Sequence, residues 1–136
     1  MSLSNATESD ALDWVLKGID PAWRAGATGY YALVTGVVDE ANPLANECTY
    51  TGYARVAQTK ATAFSGSGSS RTNANLVQFG KRTDGGATQT ATNLIWCDTA
   101  SGAVNMAFIA PLDDDLAISI NIRPQIEAGG ATFTAE

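Results

Sequence analysis

From Gly29 onward the chain is a succession of short aromatic and β-branched runs broken by turn residues, and no second helical pattern interrupts them. This punctuation constrains the fold more than any other feature. Gly29-Tyr30-Tyr31-Ala32-Leu33-Val34-Thr35-Gly36-Val37-Val38 is the longest run, and glycine and acidic residues bound it. Thr51–Thr59, Asn75–Phe79, Thr92–Cys97, Ala103–Ile109, Leu116–Ile122 and Gln125–Ile126 follow as shorter predicted strands. Asn42-Pro43, Asp84-Gly85-Gly86, Ser101-Gly102 and Ala128-Gly129-Gly130 separate most of them. Many strands without intervening helices predict a mainly β protein, an antiparallel β-sandwich or barrel-like domain. In Leu116–Ile122 the residues Leu116, Ile118, Ile120 and Ile122 alternate with small polar ones, which predicts one buried face. Tyr30 and Tyr31 must face opposite sides of their strand. With 136 residues and no internal repeat, a single domain is expected over residues 1–136.

One helix precedes the strands. Asn5-Ala6-Thr7-Glu8 supplies an N-cap residue and a glutamate three positions on, and Gly18 and Pro21 stop the helix, which is predicted over about residues 6–17. Ala11, Leu12, Val15, Leu16 and Ile19 recur at three- and four-residue spacing, with Asp10 and Asp13 on the other side. Such a stripe is expected to lie on a face of the sheet, with Trp14 and Trp23 as helix-to-sheet packing. Ser65-Gly66-Ser67-Gly68-Ser69-Ser70 has nothing to bury and reads as a mobile loop.

The side-chain inventory excludes several chemistries. The chain has no histidine, so one copy holds neither a Ser-His-Asp nor a Cys-His nucleophile, nor a His-ligated metal site. Cys48 and Cys97 form no CxxC motif and read as two separate buried thiols. Asp113-Asp114-Asp115 lacks the spacing of a calcium loop and reads as a solvated turn. Glu47, Asp84, Asp98 and Glu127 show no pairing of the kind a glycosidase needs. Lys81-Arg82 and Arg71 form a small basic feature that reads as a solvated turn or a dock for an acidic neighbour. No cofactor and no enzymatic activity are expected. Fourteen acidic residues against eight basic give a net charge of −6, which disfavours nucleic acid and anionic membranes as partners. The N-terminus has neither a basic nor an apolar signal-peptide region, and cytoplasmic synthesis is expected.

The order of several motifs resembles a family of small phage virion proteins, commonly labelled tail-fibre-like or minor structural proteins. The helix ending Asp13-Trp14-Val15-Leu16-Lys17-Gly18 comes first, followed by the strand Tyr30-Tyr31-Ala32-Leu33-Val34-Thr35. Gly52-Tyr53-Ala54-Arg55-Val56-Ala57 then stands where such proteins carry a Gly-Tyr-Ala-Arg-like strand opening. Val77-Gln78-Phe79-Gly80, Ile95-Trp96-Cys97-Asp98-Thr99-Ala100-Ser101-Gly102 and Pro124-Gln125-Ile126-Glu127-Ala128-Gly129-Gly130 complete the order. The resemblance implies a non-enzymatic virion component made in the bacterial host cytoplasm. It further implies a capsid decoration, or cement, protein that binds the major capsid protein on the shell's outer surface, commonly as a homotrimer. A tail or tail-fibre-like protein contacting the host surface is the alternative. Arg24, Tyr53, Arg55, Ser67, Arg71 and Arg123 are the candidate partner-binding residues, and residues 1–5 and the Ser65–Ser70 loop the candidate intersubunit segments.

Overall fold

A computed structural model of the chain describes residues 3–135. It shows helix α1 (Asn5–Lys17) and nine strands: β1 (Thr28–Thr35), β2 (Val56–Thr59), β3 (Phe64–Ser65), β4 (Ser70–Asn73), β5 (Val77–Gln78), β6 (Gln89–Cys97), β7 (Ala107–Ile118), β8 (Gln125–Ile126) and β9 (Thr132–Thr134). The main sheet has the order β2-β1-β6-β7, a second has β3-β4-β9, and β5 pairs with β8. Every pairing is antiparallel, and no barrel closes. The mainly β, sandwich-like class read from the punctuation is the class observed.

Both faces of the central sheet are covered. Tyr31, Leu33, Leu94, Trp96 and Ile118 look one way, toward Val77, Ile126 and Phe133 of the smaller sheets and Phe79 just after β5. Ala32, Val34, Ile95, Cys97 and Ile109 look the other way, under Val38, Leu44 and Val104. Tyr30 joins this second cluster while Tyr31 is fully buried in the first, as alternation along a strand requires. The second residue of β1 is Gly29, where a Cβ would collide with the Trp96 indole.

Several boundaries differ from the expected ones, each for a local reason. The strand predicted at Leu116–Ile122 stops at Ile118, where Asn121 takes a left-handed φ of 67° and turns the chain. Ile120 and Ile122 are therefore exposed rather than buried. Residues 51–55 form a turn and an irregular stretch, and only Val56–Thr59 pairs. β7 absorbs Asp113–Asp115, which do not form a turn between strands. Asn93 pairs with Pro111 and Ala91 with Leu116, so Thr92 alone opposes Leu112–Asp115 and the aspartates bulge into water. Ser65–Ser70 closes a β3–β4 hairpin, with Gly66 and Gly68 at positive φ. Arg71 donates to the carbonyls of Gly68 and Ser70 and holds its tip.

Candidate functional site

The helix is where sequence and structure part. Its N-cap is Ser4, one residue before the predicted Asn5, and the Ser4 hydroxyl accepts the Thr7 amide at 3.3 Å. At the other end Gly18 adopts φ 70°, with its amide on the Trp14 carbonyl and that of Ile19 on the Asp13 carbonyl. This paired arrangement is the one glycine favours after a helix. The first turn is fixed to the body: Ser4 donates to the Ala107 carbonyl at 3.0 Å, and the Thr7 hydroxyl accepts the Ala107 amide at 2.8 Å. Further along, the Trp23 indole donates to Asp10 at 2.7 Å, and the Arg24 guanidinium lies 4.6 Å over the Trp14 ring.

Thr7, Asp10 and Trp14 thus form the side turned to the body, and the apolar stripe points elsewhere. Leu12, Val15, Leu16 and Ile19 are 59%, 72%, 75% and 54% exposed. The expectation that this stripe lies on the sheet is overturned, because both sheet faces are already filled from within the β-structure. Trp23 does pack on the core, as expected, whereas Trp14 is exposed. Each aliphatic side chain left in water forgoes about 1–2 kcal/mol of burial energy. A contiguous apolar patch of this kind marks an interaction surface.

A second apolar feature was not foreseen. Phe64, Trp96 and Phe108 line two adjoining hollows of about 350 and 200 Å³. Phe133 and Ser69 border the larger, Trp23 and Met106 the smaller. Phe64 meets Trp96 edge-on at 4.9 Å and Phe133 at 5.3 Å, which fixes the floor. Arg71 stands at one end of this groove, and Arg24 and Lys60 at the other. Phe64 and Phe133 lie in short strands that the sequence pattern did not mark, so nothing in the sequence put these rings together.

The six candidate partner-binding residues fall into two groups. Arg24, Ser67, Arg71 and Arg123 are exposed, and Arg24 also pairs with Asp20 at 2.6 Å. Tyr53 and Arg55 are committed inward. The Arg55 side chain, 3% exposed, grips both oxygens of Glu47 at 2.8 Å and donates to Thr99 and to the Gly102 carbonyl. Tyr53 donates to Glu47 at 2.8 Å and accepts the Leu33 amide. Burial beside the Glu47 charge holds the Tyr53 phenol far above its ordinary range. The Gly-Tyr-Ala-Arg motif is therefore an internal clamp, and its Gly52 passes so close to the Lys81 carbonyl that a side chain would collide. Of residues 1–5, Leu3 bridges Phe108 in β7, while Met1 and Ser2 lie outside the described residues.

The remaining polar groups are likewise tied into the fold. Arg82 is 2% exposed rather than part of a solvated turn; it binds Asp84 at 2.6 Å and the carbonyls of Ala87 and Ile118. Asp84 also accepts the amides of Thr51 and Gly86, and the Arg82 guanidinium first, then these amides, hold its carboxyl well below the usual carboxylate range. Asp98 accepts the amides of Asn105 and Met106. Cys48 and Cys97 are free and buried, and burial pushes both thiols up to about 11. Among the described residues no acidic or thiol cluster suits a metal ion, and no helix is long and apolar enough to cross a bilayer.

The family model described as Podophage GP4 fiber I protein gp80 matches residues 2–134. The chain belongs to this family. It is a phage structural protein, and the match covers the helix, the groove and the Gly-Tyr-Ala-Arg clamp alike. No curated protein matches the chain.

Proposed function

We propose that the protein is a building unit of a virion fibre, attached through its N-terminal helix while the β-body forms the displayed module. The observation that carries this reading is the unpartnered stripe Leu12-Val15-Leu16-Ile19 on a chain in which, among the described residues, every buried side-chain polar atom has a partner. A fibre family supports a position in a fibre over one on the shell. Self-assembly gives such helices a place to be buried. The body's own polar groups point to a scaffold whose function is its surface, since Glu47, Asp84 and Asp98 each serve a structural bond.

Immunogold labelling of intact particles with antibody against the β-body tests the reading. Label along fibres is the expected result. Label spread evenly over the shell, with co-sedimentation on the major capsid protein and a lower shell melting temperature in its absence, overturns it for decoration.

A further inference from the structure

The exposed stripe and the aromatic groove lie on one molecule and do not meet, yet each has what the other lacks. Leu12, Val15 and Leu16 stand at i, i+3 and i+4 on the helix, the spacing with which an amphipathic helix anchors in an apolar groove, and Ile19 extends the apolar patch just past the Gly18 cap. The groove floor is apolar, formed by Phe64, Trp96 and Phe108. Charge matches as well. Residues 5–20 carry Glu8, Asp10, Asp13 and Asp20 against Lys17 alone, a net −3, whereas Lys60 and Arg71 stand at the groove's two ends, with Arg24 beside Lys60 already paired to its own Asp20. The molecule's own helix turns Thr7, Asp10 and Trp14 to its body, so its stripe does not fill its own groove.

We infer that the groove receives helix α1 of a second copy of this chain. The contact is head-to-tail: the stripe of one copy enters the groove of the next, whose own stripe stays free for a third. Three copies closing on themselves satisfy every stripe and every groove, and an open series leaves one of each at its ends. The inference concerns self-association and not location, so its failure in solution is distinct from a failure of the fibre reading on particles.

Sedimentation equilibrium of the full chain and two variants tests it. Leu16→Asp spoils the stripe and leaves the groove intact. Ser69→Arg, at an exposed rim position, fills the groove and leaves the stripe intact. Circular dichroism verifies that both variants fold. Wild type is expected to self-associate, and each variant alone at least about tenfold more weakly. An equimolar mixture is expected to recover a mixed dimer, because one good stripe then meets one good groove. A wild-type chain that stays monomeric to about 1 mM overturns the inference. So does a Ser69→Arg protein that associates like wild type, which means the helices pair with one another. A mixture that recovers nothing overturns it as well.

Discussion

The β-body and the N-terminal helix obey opposite rules. In the body Arg55 and Arg82 are both buried and both fully engaged, and among the described residues no buried side-chain polar atom lacks a partner. On the helix and just past its end, four aliphatic side chains stand more than half exposed, while Thr7 and Asp10 face the protein. The difference teaches that the polar network of the body closes within one copy, whereas the apolar stripe does not. Buried polar groups that are all paired need no partner from outside, whereas a stripe in water gains free energy from whatever covers it.

Substitutions should separate the two regions by size of effect. Trp96→Ala removes the ring that joins Tyr31 and Phe64 and floors the groove, and is expected to cost about 3–5 kcal/mol in urea unfolding. A cost near zero would mean the body is not held by this cluster. Next comes Arg82→Ala, which strands the buried carbonyl of Ile118, frees the part-buried one of Ala87 and is expected to cost about 2–4 kcal/mol by the same measurement.

Alkali acts on the body through its buried thiols and phenols. Cys48 and Cys97 are raised from 9.0 to about 11, and Tyr50 from 10.0 to about 12, chiefly by burial. The folded state holds these protons more tightly than the unfolded chain. Their contribution is complete below about pH 9 and is lost as pH rises through 11–12. Urea midpoints that stay level from pH 8 to about pH 11.5 would contradict the burial of these groups. The smallest effect belongs to the helix: Val15→Ser with Leu16→Ser should change the monomer's stability by less than about 0.5 kcal/mol each. A loss of about 2 kcal/mol or more would show that the stripe packs on its own body, and the contrast between the regions would fall.

Much of the fold was legible because its signals are local. The helix and its glycine stop follow from spacing and from one residue with access to positive φ, and β1 and β6 are apolar runs buried on both faces. What periodicity reports is amphipathicity, and it is silent on which surface covers the stripe. The alternation through Ile122 misled for a related reason: Asn121 breaks the strand by a single dihedral that its neighbours' hydrophobicity does not reveal. Arg82 was unreadable beside Lys81, since burial of one and exposure of the other depend on carbonyls 5 and 36 residues away. The groove is the extreme case. Its rings come from residues 64, 96, 108 and 133 and meet only through pairing across two sheets.

The acidic bulge of β7 has a consequence for assembly. The main sheet ends on this strand, and an unprotected end of a sheet recruits another chain's backbone and stacks without limit. Here Pro111 offers no amide, Leu112 is bridged by Ala131, Leu3 bridges Phe108, and three successive aspartates repel any strand drawn alongside. Growth by shared backbone hydrogen bonds is therefore closed on that edge. A copy set against that edge would meet side chains rather than open backbone, so that neither body would have to unfold for the two to part.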